Sequence, residues 1–154
     1  MPGSPTLSAT WTGTVASSDE RDPGRESRRT GRSPLLTPDE FAAVAEKALA
    51  ELPGELLERL GNVAILIDER PSADLVADGI HPGVLGLYHG VPLNRRSVSF
   101  GAPYADTIHL FSANLERVCR TREELIERIR IVVWHETAHF FGYTEAQLRR
   151  MGLA

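Results

Sequence analysis

TREELIERIRIVVWHETAHFFG, residues 121–142, is the stretch on which the reading of this chain turns. Thr121 followed three residues later by Glu124 is a capping-box signature, a hydroxyl and a carboxylate placed to satisfy the first free N–H groups of a helix. Gly142 closes the stretch, in the place where a glycine commonly ends a helix. Between them Leu125, Ile129, Val132 and Val133 line one side, while Ile126, Trp134, Ala138 and Phe141 cover others. A helix apolar over so much of its circumference belongs at the centre of a domain. The pattern predicts one long central helix from Thr121 to about Phe141.

Inside that helix stands His135-Glu136-Thr137-Ala138-His139. Four residues of helix turn about 400°, so the two imidazoles share a face one turn apart. Their ring nitrogens can converge on one ion at about 2.0–2.1 Å. Glu136 is offset by one residue, beside the ion, where its carboxylate can take a proton from an activated water. Two neutral imidazoles leave a Zn2+ ion strongly Lewis acidic, which is what such chemistry needs. The plainer alternative is a pair of satisfied core or surface histidines. Against it, an uncompensated His-Glu-His cluster on a mostly buried helix is costly. The expected roles are therefore metal binding for His135 and His139, and general base for Glu136.

Catalytic zinc usually takes three protein ligands and keeps one position open. Gly142 can adopt positive φ and reverse the chain, returning Glu145 toward the ion. Glu145 is the expected third ligand. Its other reading is a first-turn acid of a short terminal helix capped by Thr144 and favoured by the helix dipole. His109, on a predicted strand, is a rival ligand; His81 and His89, in turn-rich segments, are weaker ones. Met151 reads as a core or surface methionine. Tyr88, Tyr104 and Tyr143 each offer a hydroxyl to a developing oxyanion, with packing or a surface role as the plainer reading.

Outward from the helix, residues 1–37 are rich in Ser, Thr, Gly, Pro and Arg, without apolar periodicity, and read as a disordered tail. The expected domain spans residues 38–154. Thr37-Pro38-Asp39-Glu40 opens a helix through Phe41, Val44, Ala45, Ala48 and Leu49, and Pro53-Gly54 breaks it before a second short one. Val63–Ile67 reads as a buried strand, and Glu69 to Gly83 as a loop. Leu85–Tyr88 and Val91–Leu93 flank His89-Gly90 and suggest short strands around a turn. Ser97–Phe100 and Asp106–Phe111 are further predicted strands, and Glu145 to Met151 a terminal helix.

At 154 residues, 42% apolar and 25% charged, the chain has the length and composition of one soluble globular domain, and the helices and strands expected along it make that domain α+β. A formal net charge of −4 supplies no electrostatic basis for a nucleic acid or anionic membrane partner. Cys119 is the only cysteine, which excludes an intramolecular disulfide and a Cys-rich metal cluster. Neither a basic, apolar leader nor an apolar run of about 20 residues is present, so the expected location is cytoplasmic. Nothing here indicates an oligomeric state.

His135-Glu136-Thr137-Ala138-His139-Phe140-Phe141-Gly142-Tyr143-Thr144-Glu145 resembles the signature H-E-x-x-H-x-x-G-x-x-D of the small single-domain zincin-like metallopeptidases of bacteria, related to that of the aspzincins. The similarity extends through Leu85–Leu93, Asp106–Phe111 and Leu148–Leu153, and covers about residues 38–153. Two positions depart from it. Glu145 stands where the family has Asp, one methylene shorter, and Phe140 where it often has another histidine. The resemblance implies a minimal zincin-like fold: a small mixed sheet, a backing helix and the active-site helix. It implies zinc-dependent hydrolysis of a peptide or protein substrate. The alternative is a binding or scaffold module that keeps the metal for stability, with little or no turnover.

Overall fold

Thr37 and Glu40 open the first helix by the reciprocal bonds their spacing predicts. The Thr37 hydroxyl accepts the Glu40 N–H at 3.2 Å, and the Glu40 carboxylate accepts the Thr37 N–H at 2.8 Å. This computed structural model describes residues 33–61, 63–95 and 106–152. Helix α1 (Pro38–Ala50) is followed by α2 (Gly54–Leu60), with Pro53 at the break between them. Strand β1 (Ala64–Asp68) comes next. A short helix α3 (Ala73–Ala77), capped by Ser72, lies in the segment expected to be a loop. It buries no residue, so no apolar stripe marks it in the sequence.

Strand β2 (Gly86–His89) is present, but the expected hairpin around His89-Gly90 is not. Pro92 has no N–H to give a ladder, and Leu93–Arg95 form a 3-10 turn in which the Arg95 N–H reaches the Pro92 carbonyl. The partner of β2 is β3 (Thr107–Phe111), paired antiparallel from Gly86 opposite Leu110 to His89 opposite Thr107. On its other side β3 pairs parallel with β1, giving the order β1-β3-β2. Ser97–Phe100, Tyr104 and residues 1–32 lie outside the described residues.

Helix α4 (Ser112–Val118) leaves the end of β3 directly, and the long helix α5 (Arg122–Phe140) follows. Thr121 caps α5 by accepting the Glu124 N–H at 3.1 Å, while the Glu124 carboxylate accepts the Arg120 N–H. Helix α6 (Glu145–Arg150) completes the described elements. Among the described residues the result is a small α+β domain with a three-stranded mixed sheet, and the α+β class with a small mixed sheet is the one expected.

The core lies between one sheet face and the helices α1 and α5. Ile65, Ile108 and Leu110 meet Phe41, Ala45 and Ala48 of α1 and Leu125, Ile129 and Val133 of α5. Each large apolar side chain buried this way contributes about 1.5–3 kcal/mol. Two polar contacts set α1 against α5. The Trp134 indole donates to the Ala48 carbonyl at 2.8 Å, and the Arg130 guanidinium, which lies 4.4 Å above the Trp134 ring, donates to the carboxylate of Glu51 at the end of α1 at 2.8 Å.

Packed structure begins earlier than the expected boundary at residue 38. Leu36 is buried in the core, and the Leu35 N–H donates to the Glu116 carboxylate of α4. Composition points residues 33–37 toward the tail, but two adjacent leucines are enough to anchor them. Close by, Arg122 grips both carboxylate oxygens of Glu40 at 3.1 Å, which lowers the Glu40 pKa to about 2. Among the described residues no helix is long and apolar enough to cross a membrane.

Candidate metal centre

The last turns of α5 carry His135 and His139 on one face, their ring centroids 4.8 Å apart. The helix then ends in a Schellman turn: the Gly142 N–H reaches the His139 carbonyl and the Tyr143 N–H the Ala138 carbonyl. Gly142 has φ +93°, a conformation that side-chain-bearing residues rarely adopt, and a Cβ there would run into the Asn94 side chain. The reversal starts α6 with Thr144 as N-cap and Glu145 in its first turn. Glu145 Oε1 comes to 3.0 Å from His135 Nε2 and 2.8 Å from His139 Nε2, and the two ring nitrogens are 3.1 Å apart. Glu145 is a first-turn acid, as its plainer reading has it, and its carboxylate also faces the two imidazoles.

The donor set suits a metal ion. His139 Nδ1 lies 2.9 Å from the Tyr143 carbonyl, which can only accept, so Nδ1 carries the hydrogen. In the neutral ring, Nε2 then presents its lone pair to the common point. Two imidazole nitrogens and one carboxylate oxygen are a ligand set zinc commonly takes. Tetrahedral bonds of about 2.0–2.1 Å separate neighbouring ligand atoms by roughly 3.3 Å. The observed separations are within a few tenths of an ångström of that. Partial burial works against the charge on Glu145, but hydrogen bonds to His135 and His139 outweigh it and hold the carboxyl below its ordinary range.

Glu136 sits beside this set and is buried. Burial pushes its pKa up; the nearby imidazoles and a main-chain N–H pull it the other way without cancelling the rise. That N–H belongs to Tyr88 and meets Glu136 Oε2 at 2.7 Å. Gly86 makes the approach possible. A Cβ there would lie 2.5 Å from Val132 Cγ1 and 3.3 Å from Glu136 Cγ, so only a glycine lets β2 rest against α5 at this level. The Leu85 carbonyl faces β3, where it accepts the Phe111 N–H. Main-chain groups alternate along a strand, so those of Gly86 and Tyr88 face away from β3.

The other histidines stay apart from this cluster. Among the described residues the group able to hold an ion consists of His135, His139 and Glu145. His109 lies 3.4 Å from Asp68 and 3.3 Å from Thr107, and His81 Nδ1 accepts the Gly83 N–H. His89 is exposed at the end of β2. Met151 is exposed at the end of α6. The Tyr88 hydroxyl donates to Asp106, and Tyr143 is 44% exposed. Sequence reasoning passed over Gly86, Asp106, the Tyr88 N–H and the Tyr143 carbonyl. Of these only Gly86 carries a signal, as a glycine inside a predicted strand.

None of the curated proteins compared with the chain matches it. A family model described as zincin-like metallopeptidase matches residues 60–153, from the end of α2 past α6. That span takes in all three strands and the whole of α5 with its turn, more than half of the sequence, and the chain belongs to the zincin-like metallopeptidase family.

Proposed function

We propose that this protein hydrolyses peptide bonds, with zinc held by His135, His139 and Glu145 and with Glu136 as general base. One observation carries the reading: a buried carboxylate, oriented by a main-chain N–H, lies beside three convergent donor atoms. Zincin-like metallopeptidases are metal enzymes, typically of zinc, and the donor set agrees with that metal. A zinc ion there supplies Lewis acidity, polarising a carbonyl and lowering the pKa of water toward about 7.

The chain's own residues do the rest. His135 and His139 hold the ion from one helix face, and Glu145 adds a negative charge from the turn. Oε2 of Glu136 is engaged by the Tyr88 N–H, so proton transfer falls to Oε1. Glu136 takes a proton from the attacking water as the new C–O bond forms, and returns it to the amine nitrogen as the C–N bond breaks. An extended peptide or protein segment can add to the outer edge of β2, pairing with the main chain of Gly86, since the Tyr88 N–H is taken by Glu136.

The test is digestion of a peptide library by zinc-loaded protein, then after chelation, then after zinc is restored. The proposal expects cleavage that disappears with the metal and returns with it. Stoichiometric zinc without cleavage would identify a metal-stabilised binding module instead.

A further inference from the structure

Glu136 is held by a main-chain group, and a main-chain group is only as well placed as its strand. Among the described residues β2 is a short edge strand of four residues, a poor platform for holding a general base to a fraction of an ångström. The Tyr88 side chain supplies a second anchor. Its hydroxyl donates to Asp106 Oδ1 at 2.6 Å, within the short range of a charge-assisted bond. Its ring stands edge-on to Phe140 of α5, with centroids 5.9 Å apart. Asp106 is 4% exposed and immediately precedes the central strand, and its carbonyl accepts the Ala64 N–H leading into β1. Gly90 leaves room for the contact: a Cβ there would collide with Asp106 Oδ1 and lie 2.7 Å from the Tyr88 hydroxyl.

From this geometry we infer that Asp106 and Tyr88 form a positioning pair for Glu136. Asp106 fixes the far end of the Tyr88 side chain to the sheet, and the near end then presents its N–H to the Glu136 carboxylate. Neither side chain touches the reacting atoms; both act through the Tyr88 main chain. The inference rests on Glu136 as general base, and its test separates the two claims.

The variants are Tyr88→Phe, which removes only the hydroxyl; Asp106→Asn, which keeps an acceptor; Asp106→Ala, which does not; and Gly90→Ala, which wedges the pair apart. The first readout needs no activity: the NMR shift and hydrogen exchange of the amide at position 88 in the zinc-loaded protein. An N–H bonded to a carboxylate resonates downfield and exchanges slowly, and Glu136→Ala should abolish that shift. Tyr88→Phe, Asp106→Ala and Gly90→Ala should move it upfield and speed exchange about tenfold or more, with Asp106→Asn in between. The second readout is kcat per bound zinc. It should fall about 10- to 100-fold in Tyr88→Phe, with KM changed less than about twofold and one zinc retained per chain. Asp106→Asn should keep more kcat than Asp106→Ala. An amide at position 88 unmoved by all of these changes, or kcat unaltered when it moves, overturns the positioning pair. If the wild type cleaves no peptide, the proposed function fails, and the amide readout alone decides whether Asp106 and Tyr88 hold Glu136 in place.

Discussion

Glu145 is the residue whose contribution is least even. Its side chain is 57% exposed, against 17% for His135 and 23% for His139, so water competes for its oxygens far more than for the imidazole nitrogens. Its grip on zinc should therefore be real but smaller than that of either histidine. Glu145→Ala should weaken zinc affinity about 10-fold or more, and Glu145→Asp, one methylene short of the observed reach, should keep part of it. Competition against a chelator of known affinity measures both, and equal affinity in wild type and Glu145→Ala would remove Glu145 from the ligand set. At this scale much of the candidate site's geometry was legible. His135, Glu136 and His139 are one turn of one helix, and helical spacing alone decides their relative placement. Glu145 needs only the Gly142 reversal beyond that. The Tyr88 N–H and the Tyr143 carbonyl were not legible, because every residue type carries the same main-chain groups.

Among the elements, those with their own start and stop signals were readable. Helix α1 begins at its capping box, and α5 runs from the Thr121 cap to the Gly142 turn. Helix α3 escaped because it is five residues long and buries nothing, and the expected hairpin failed because Pro92 cannot feed a ladder. The lead-in to α1 escaped for a third reason. Two leucines at the end of a polar stretch make no periodic pattern, yet Leu36 is 4% exposed and Leu35 is tied to Glu116. Leu36→Ala should accordingly destabilise the domain by about 2–4 kcal/mol, a core cost and not a tail cost. Urea denaturation checks this, and a loss below about 0.5 kcal/mol, the range of surface substitutions, would mean that Leu36 does not belong to the core.

For the whole molecule, fold class followed from the central helix, whereas strand order did not. Residues 64–68 pair in parallel with 107–111, and 86–89 then join the free side of that second strand. Three short apolar segments fit several such orders, and the choice is made by what each can bury against α1 and α5. The order that results places β2, an edge strand among the described residues, beside the helix of the candidate site, and Gly86 lets it come close enough to reach Glu136. The central claim is a division of labour, in which three residues hold zinc and a fourth moves the proton. Zinc content and peptide turnover measured together on Glu136→Gln test it most directly. The account predicts one zinc per chain, as in the wild type, with turnover per zinc lowered about 10²- to 10⁴-fold. Undiminished turnover per zinc, or zinc lost along with activity, would contradict it.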